Sequence, residues 1–444
     1  NEFSKAITIF EKGLEVHKEN IDLLIDKALS LSALQEHKKA SECLEKVLNS
    51  NKNHYVALVN LGLSKRREGK LSEAKNIFKK AKEIDPKNEK INISLATCYS
   101  ESGEINFAEK LYSEIIKNNK NASEAKSSLG MLYLKNTMLD KGWPLLKNRL
   151  DLQSANISYK NFPFKVWGGE DIKNENILVW TEQGIGEEVL ISTMLNDLTE
   201  KAKSITLLCS ERMVPLFKRS FSRIKISERR EPLSTQALDP SIKYQMSLND
   251  IGLLTRPNLE SFDFKKKPSL KANHVLTKKL REKYKALTKR DFLIGLSWKS
   301  ETPNIGTIKS IDPFKLSSLN LKNNLGFISL QYNPSQKDIE KIKQFAGKSF
   351  TFDTLIDPLT NLDMAASQIA AMDYVVTISN TTAHLAGALD IPTALLLPPE
   401  TGRHWYWFNN LKKSPWYDSI TIFECSKNLD WSDAIGHVTK NIIE

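Results

Sequence analysis

The 444-residue sequence predicts an α-helical solenoid followed by an α/β region built in two halves. Small and large apolar residues recur at a fixed spacing through residues 1–150. Beyond them, short apolar runs alternate with amphipathic stretches, which is typical of strands alternating with helices. This alternation is interrupted over residues 228–290 and then starts again, which predicts two parallel α/β layers.

The N-terminal pattern consists of three series of residues that share a period of 34 residues and one register. The series are Ala6, Ala40, Ala74, Ala108 and Gly142; Ala28, Gly62, Ala96 and Gly130; and Phe10, Leu44, Phe78, Tyr112 and Leu146. The small residues allow two helices to pack closely, and the large ones fill the gap between units. This is the period of tetratricopeptide repeats, and residues 62–88 resemble that family closely.

A stack of such repeats forms a curved solenoid with a concave face. We expect this face to bind a protein or peptide. A spacer, or an arm that joins copies into a homo-oligomer, is the alternative. Because the chain begins at Asn1 with the second helix of a repeat, we expect an earlier helix in the natural protein.

The second part of the sequence carries the predicted strands. They lie at 177–180, 204–209, 292–298, 326–331, 349–352, 374–378 and 393–397. We interpret them as two Rossmann-like halves that face a cleft. The predicted domains are the solenoid 1–150, a first half 151–280 and a second half 281–444. Ligands of such sheets bind at the carboxyl ends of the strands.

Composition limits the classes of function. The net charge is +11, yet the densest basic stretch, 265–290, favours a solvated helix, and no basic motif with interleaved aromatic residues indicates a nucleic acid partner. No apolar run approaches the ~20 residues of a membrane span, although peripheral contact with an anionic membrane stays open. The 4 cysteines are far apart and form no CxxC pair, so we expect no structural zinc or disulfide and a cytoplasmic location.

The first candidate site is a polar run at a strand-to-helix junction. Ser379, Asn380, Thr381 and Thr382 follow a predicted strand and begin a helix, and His384 lies one turn inside it. The unpaired N–H groups and the dipole of a helix N-terminus attract anions, so this run could hold the phosphates of a ligand. The alternative is an ordinary cap by Ser379 or Asn380, with His384 packed in the core.

A second candidate is the loop after the predicted strand 177–180. Gly184 and Gly186 permit close approach of a ligand, with Gln183 beside them in the same loop. Glu187, in the first helical turn, could act as a general base on an acceptor hydroxyl. Alternatively, Glu187 and its neighbour only complement the helix dipole.

Two cations complete the candidate site. Lys299 ends a predicted strand and could neutralise a departing diphosphate as a point charge, and Lys309 is a weaker second candidate. A further segment contains Arg403 and Trp405. These residues could stack on a base or a sugar at the rim of the cleft, or they could pack against the C-terminal helix. The sequence does not distinguish stacking on a ligand from packing.

These motifs occur together in the order ILVWTEQGIGEE, GLSWKS, FISLQ and YVVTISNTTAHLAGALDIPTALLLP. In this order, over residues 160–435, they resemble the bacterial tetratricopeptide-repeat glycosyltransferases, whose catalytic half is similar to heptosyltransferases and has the GT-B fold. The resemblance implies an inverting transfer from a nucleotide-activated sugar without a metal or other cofactor. The absence of any Asp-x-Asp motif agrees with metal independence.

The same resemblance implies roles for individual residues. Glu187 stands where heptosyltransferases have an Asp as proposed base, and the run from Ser379 stands in their donor site and ends at His384. Lys299 falls near their donor-phosphate lysine. Two departures follow: Glu187 is one methylene longer than Asp, and Ser379 lacks the carboxylate of the family's Asp.

The sequence therefore predicts a metal-independent inverting glycosyltransferase that moves a sugar from a nucleotide-sugar to a protein Ser or Thr hydroxyl, with the repeats binding the acceptor. One alternative has a lipid-linked or glycan acceptor, and another is a non-catalytic scaffold with a degenerate transferase domain. The sugar class, hexosyl, heptosyl or nonulosonyl, stays open.

Overall fold

The computed structural model describes residues 2–152, 162–182, 184–230, 232–262, 269–302, 305–321, 324–426 and 429–443. In this part, the chain forms a helical solenoid followed by two parallel sheets that carry helices. The predicted solenoid and the predicted parallel α/β layers are therefore confirmed.

Antiparallel helices build the solenoid. They are α1 (Glu2–Val16), α2 (Ile21–Ala33), α3 (His37–Ser50), α4 (Tyr55–Arg67), α5 (Leu71–Ile84), α6 (Glu89–Glu101), α7 (Ile105–Asn118), α8 (Ser123–Lys135) and α9 (Leu139–Leu146). A 3-10 helix, Lys147–Asp151, follows α9 directly. Helices α2 and α6 begin at asparagine caps, since Asn20 accepts a hydrogen bond from the Leu23 N–H and Asn88 from the Ile91 N–H.

The repeat is also visible in the backbone of the turns. A residue in the left-handed region follows the first helix of each repeat and reverses the chain. These residues are Gln35, Gly69, Gly103 and Thr137, with φ of 64°, 79°, 76° and 63°. They lie one repeat period apart, so each unit turns in the same way.

The small residues of the pattern allow close helix contacts, as predicted. A Cβ atom at Gly62 would lie 2.7 Å from the Phe78 ring, and one at Gly130 would lie 2.7 Å from the Leu146 backbone nitrogen. Phe78 is fully buried. Small and large positions therefore pack against each other in adjacent helices.

The first sheet follows the solenoid. Its strands are β1 (Lys165–Val166), β2 (Asn176–Trp180), β3 (Ser204–Cys209), β4 (Ile224–Glu228) and β5 (Ile242–Ser247). Its helices are α10 (Ile185–Ser192), α11 (Leu195–Thr199), α12 (Val214–Ser220) and α13 (Gly252–Thr255). Neighbouring strands run parallel in the order β1-β5-β2-β3-β4.

Helix α14 (His274–Thr288) connects the first sheet to the second. It buries Leu280 and Tyr284, and the Tyr284 hydroxyl donates to Asp353, so α14 packs on the second half. The predicted boundary at residue 280 thus falls inside this helix. The predicted basic helix is confirmed over α14, and residues 265–268 of that stretch lie outside the described residues.

The second sheet contains β6 (Phe292–Ser297), β7 (Leu325–Ser329), β8 (Phe350–Thr351), β9 (Tyr374–Ile378), β10 (Thr393–Leu397) and β11 (Ile420–Glu424). Its helices are α15 (Gly306–Lys309), α16 (Gln336–Ala346), α17 (Leu362–Ala370), α18 (Thr381–Ala388) and α19 (Ser432–Ile443). The strand order β8-β7-β6-β9-β10-β11 is that of doubly wound nucleotide-binding sheets. The order reverses between β6 and β9.

The last two repeats are joined to the loop after β10. Lys135 Nζ donates to the Glu400 carbonyl oxygen at 2.6 Å, and Thr401 Oγ1 donates to the Glu101 carbonyl oxygen at 3.1 Å. The Asn409 N–H donates to the Lys135 carbonyl oxygen at 2.7 Å. These bonds fix residues 400–409 against the ends of α6 and α8.

The cysteines Cys43, Cys98, Cys209 and Cys425 are free thiols, and all are buried. None of the helices in the described ranges is both long and apolar enough to cross a bilayer. The same ranges contain no group of three or more His, Cys, Asp and Glu side chains arranged to hold a metal ion.

Candidate functional site

The second sheet brings two of the predicted segments together at its switch point. The segment containing Lys299 follows β6, and the run from Ser379 follows β9. The side-chain amide of Asn380 donates to Ser297 Oγ at 2.8 Å, which ties the two segments at the carboxyl end of the sheet. Ligands of doubly wound sheets bind at such a switch point.

The residues of the polar run have different surroundings. Asn380 is the cap of α18, because its side chain accepts from the Ala383 N–H, so the ordinary-cap interpretation holds for this residue. Ser379 is 1% exposed and accepts a hydrogen bond from Trp407 Nε1 at 2.9 Å. Thr381 is partly exposed and Thr382 is mostly buried at the start of the helix. These two threonines are the first two residues of α18.

His384 is packed among aromatic rings. It is 2% exposed, its ring stacks on Trp407 at a centroid distance of 4.8 Å, and Nδ1 lies 3.2 Å from Tyr417 Oη. Burial, together with the nearby His404 and Lys309, lowers the pKa of His384 to about 3. The imidazole is therefore neutral near pH 7, and these contacts agree with the packed-core alternative.

Helices α10 and α18 meet at their N-terminal ends. A Cβ atom at Gly186 would lie 3.1 Å from His384 Cδ2 and 3.4 Å from Thr381 Oγ1, so only glycine fits there without displacement. Gly184 differs, because it has φ −73° and open space around a Cβ position, and so nothing in its geometry requires glycine. Gln183 lies outside the described residues.

Two glutamates in the first turn of α10 have opposite surroundings. Glu188 is buried and bonded, since Thr181 Oγ1 and the Ser210 N–H donate to its carboxylate at 2.9 and 3.1 Å. Glu187 as a whole is partly exposed, and its carboxylate has no hydrogen bond or ion pair with another described residue. Burial of the carboxyl and the Glu182 charge raise the pKa of Glu187 to about 7, against the lowering effect of Arg149. Glu187 can thus exchange a proton near neutral pH.

The two candidate lysines also differ. The Lys299 side chain is 42% exposed and lies 3.6 Å from the Glu301 carboxylate. Lys309, in α15, is 1% exposed, and its Nζ lies 3.3 Å from both Thr302 Oγ1 and His404 Nε2.

Lys309 has no carboxylate within ion-pair distance in the described part of the chain. Burial lowers the pKa of its ammonium group to about 8. A buried ammonium with only neutral protein partners is costly to the fold, and an anionic ligand would offset that cost. The sequence ranked Lys309 second because burial and the contact with His404 are tertiary features.

The aromatic segment after β10 packs inside the protein. Arg403 donates to the carbonyl oxygens of Pro398 and Phe408 and pairs with Glu424 at 2.7 Å. Trp405 meets the solenoid residue Trp143 edge to face at 5.3 Å. The open question about Arg403 and Trp405 is answered in favour of packing.

Tyr406 and His404 connect this segment to the site. Their rings stack at 5.0 Å, and the ring of Tyr406 also meets that of His384 at 5.1 Å. Burial and the charge of Glu187 raise the pKa of Tyr406. Tyr406, His404 and Lys309 are therefore in contact in the second half, and the Glu187 charge of the first half acts on Tyr406. The sequence marked the aromatic run that contains His404 and Tyr406, but not their contacts with Lys309 and His384.

Two curated relatives illustrate the similarity to known proteins. Protein FlbA from Caulobacter vibrioides is 27% identical over 312 residues, covering 67% of this chain and 51% of FlbA. The chain therefore spans about half the length of that relative. Because the solenoid ends at Asp151, an alignment of 312 residues includes much of the α/β region.

The second relative is a Hordeum vulgare protein named "Probable UDP-N-acetylglucosamine--peptide N-acetylglucosaminyltransferase SPINDLY". It is 26% identical over 103 residues, which cover 23% of this chain and 11% of that protein. Among solved structures, the crystal structure of MamA is 20% identical, with a TM-score of 0.31, and covers 34% of this chain and 87% of MamA.

Models of the tetratricopeptide repeat family match residues 21–54 and 65–132. Both ranges lie inside the solenoid, where the 34-residue register and the left-handed turns were described. The N-terminal part of this chain is therefore a tetratricopeptide-repeat solenoid, and an α/β region with parallel sheets follows it.

Proposed function

We propose that the chain is a cytoplasmic, metal-independent, inverting glycosyltransferase that moves a sugar from a nucleotide-sugar donor to a Ser or Thr hydroxyl of a protein. One observation carries this proposal. The buried ammonium of Lys309, without a carboxylate partner in the described ranges, lies near the switch point of a doubly wound sheet and contacts His404, whose ring stacks on Tyr406. The free cysteine thiols agree with a reducing compartment.

The donor phosphates would bind at the second half. The N–H groups at the start of α18 and the hydroxyls of Thr381 and Thr382 suit a phosphate, and Lys309 supplies the buried positive charge. Lys299 would add a weaker, exposed charge. Ser379, Asn380 and His384 would support this arrangement from within the protein, through the bonds described above.

The reaction would be a single displacement. Glu187 takes the proton of the acceptor hydroxyl while its oxygen forms a bond to the anomeric carbon and the bond from that carbon to the nucleotide phosphate breaks. The configuration at the anomeric carbon is inverted because attack and departure occur on opposite faces. Lys309 and the start of α18 stabilise the negative charge that develops on the departing phosphate.

A protein acceptor agrees with the tetratricopeptide solenoid, whose concave faces bind extended segments. A glycan acceptor is the second candidate, since a polar cleft of about 980 Å³ between the two halves would have room for a glycan, although neither Glu187 nor Lys309 lines it. Arg212, Lys218 and Arg230 of the first half and Asn361 and Asp363 of the second are among its lining residues. Product analysis with a peptide mixture and with a glycan mixture would separate the two acceptors.

Thermal unfolding with UDP, CMP, ADP or GDP tests the donor site, with EDTA or Mg²⁺ in parallel. A nucleotide at ~100 times its dissociation constant stabilises the fold by about 2.7 kcal/mol, which raises the melting temperature visibly. We expect one nucleotide to act equally well in EDTA, and its effect to be lost in Lys309→Met.

Lys337→Ala, which removes an exposed lysine of α16, is the matched control and should keep the effect. If none of the nucleotides stabilises the wild-type protein, the donor site is wrong and the repeat scaffold becomes the better interpretation. If stabilisation requires Mg²⁺, the proposed metal independence is wrong, but the proposed donor site is not contradicted.

A further inference from the structure

The end of the solenoid reaches into the first half through one buried guanidinium. Arg149 lies in the 3-10 helix that closes the solenoid and is 6% exposed. Its Nε donates to Glu182 Oε2 at 3.1 Å, and its Nη2 bonds to the second oxygen of the same carboxylate. Such a fork fixes both the position and the plane of the Glu182 carboxylate.

The same guanidinium is held by the first sheet. Nη1 donates to Asp250 Oδ1 at 2.6 Å, and Nη2 donates to Ser247 Oγ at 3.3 Å. The Glu182 side chain is 0% exposed, so the pair is shielded from solvent. Separation of such a buried pair would leave each charge without compensation, which is costly. The two side chains are therefore held together in this geometry.

Glu182 lies five residues before Glu187 in the sequence. Between them the chain passes Gly184, which has open space around its Cβ position and so little packing of its own there. Anchoring of this segment therefore comes from Glu182 on one side and from the contact of α10 with α18 on the other.

We infer that Arg149 is a positioning residue for Glu187: through the Glu182 carboxylate, the last turn of the tetratricopeptide solenoid fixes the place and the charge environment of the group assigned as general base. The role given to Glu187 rests on the proposed function, whereas the link itself rests on these contacts. The solenoid would then complete the reacting site as well as hold the acceptor.

The charges around Glu187 give the link a measurable consequence. Glu182 raises and Arg149 lowers the pKa of the Glu187 carboxyl. Of the elements that pack against α10, α18 contributes the neutral His384, and the 3-10 helix Leu248–Asp250 contributes Asp250, which is paired with Arg149. The Glu187 charge also acts on Tyr406, which stays protonated because burial raises its pKa.

The test is the titration of the Glu187 carboxyl by NMR in the full chain labelled with ¹³C at glutamate, where Glu187→Gln identifies the signal. We expect Arg149→Met to raise the midpoint by about one pH unit and Glu182→Gln to lower it by a similar amount, since each removes one nearby charge. Arg149→Lys, which keeps the charge but loses the fork, should keep the midpoint close to the wild-type value and still reduce any transfer activity severalfold.

Arg256→Met is the matched control, because Arg256 is likewise buried, at 5% exposure, and paired with Asp197, yet it is not among the groups that shift the pKa of Glu187. It should leave the midpoint unchanged. Equal midpoints in the wild type, Glu182→Gln and Arg149→Lys, with unchanged activity in both variants, would overturn the inference even if Arg149→Met fails to fold. Shifted midpoints in a protein without transferase activity would overturn the proposed function alone.

Discussion

Lys309 Nζ lies 3.3 Å from His404 Nε2, although the two residues are 95 positions apart in the sequence. Burial and the charges of Lys309 and Lys135 lower the pKa of His404 to about 3, so its ring is neutral and accepts a hydrogen bond from the ammonium group. Lys309 therefore keeps its charge at pH 7 with uncharged partners. This arrangement makes the affinity for an anion depend on pH.

Nucleotide affinity should fall as the pH rises above 8. Burial lowers the pKa of Lys309 to about 8, so the free protein loses this positive charge above that pH. If binding requires the protonated lysine, the dissociation constant rises about tenfold per pH unit from there. Calorimetric titration between pH 6.5 and 9.5 measures it. A flat profile in the wild type, equal to that of Lys309→Met, would remove Lys309 from the donor site.

Glu187→Gln should reduce transfer by about 10²–10⁴-fold, the usual contribution of a general base. In the wild type the rate should rise with pH and level off above 7, since burial and the Glu182 charge raise the pKa of Glu187 to about 7.

The same substitution has an expected sign for stability. The pKa of Glu187 is raised from 4.5 to about 7 in the folded state. Its carboxyl therefore contributes its full stabilisation to the folded state at pH values below 4.5, and this stabilisation is lost as the pH rises through 7. Glu187→Gln should therefore gain stability relative to the wild type between pH 5 and pH 8. Full activity in a well-folded variant would contradict the role as base.

Gly186→Ala and Gly184→Ala form a matched pair. The new methyl group at residue 186 would press against His384 and Thr381, whereas at residue 184 it would meet open space. We expect the first change to lower the free energy of unfolding by about 1–3 kcal/mol and to weaken nucleotide binding. The second should cost less than about 1 kcal/mol, because Ala is only a poorer N-cap of α10 than Gly. Chemical denaturation measures both, and equal effects would show that α10 and α18 do not meet as described.

Ser379→Asp restores the residue of the resembling family and should still be harmful here. Ser379 is 1% exposed and accepts from Trp407 Nε1, so a carboxylate would be buried among neutral groups without a positive partner. Stability of the variant should fall as the pH rises from 5 to 8, while Ser379→Ala should cost about 1 kcal/mol at every pH. A variant as stable as the wild type at pH 8 would show that the pocket accommodates the charge.

Lys135→Met should change how stability depends on alkaline pH. Burial and the Arg403 charge lower the pKa of Lys135 from 10.5 to about 8. Between these values the unfolded chain binds the extra proton, so this lysine makes the free energy of unfolding rise with pH. The variant should show a smaller rise between pH 8 and pH 10, by thermal or chemical unfolding, and an unchanged slope would argue against burial of the ammonium group.

The repeats were predictable in detail because their signal is local and periodic. Ala40 and Phe78, chosen from the sequence spacing alone, are both fully buried. The alternation of strands and helices was predictable for the same reason. The strand order was not, because it depends on which strands pair across long stretches of chain.

The chemistry of the site was harder to predict. The polar run and Glu187 stood out as sequence motifs, but the burial of Lys309 follows from packing of the loop around His404 onto α15. The ion pair between Arg149 and Glu182 joins the solenoid to the first half, and no repeating pattern in the sequence indicates it. Likewise, only the packing shows that Ser379 and His384 are enclosed by aromatic side chains.

The bonds between the last two repeats and residues 400–409 limit how this protein can vary in evolution or be re-engineered. Repeats can be gained, lost or exchanged near α1 without touching the α/β region, since the ends of α6 and α8 carry those bonds. An insertion of one repeat between α8 and the 3-10 helix Lys147–Asp151 would separate Lys135 from Arg149 by a whole unit. Variation in the number of repeats is therefore expected at the N-terminal end of the solenoid, which carries none of these bonds.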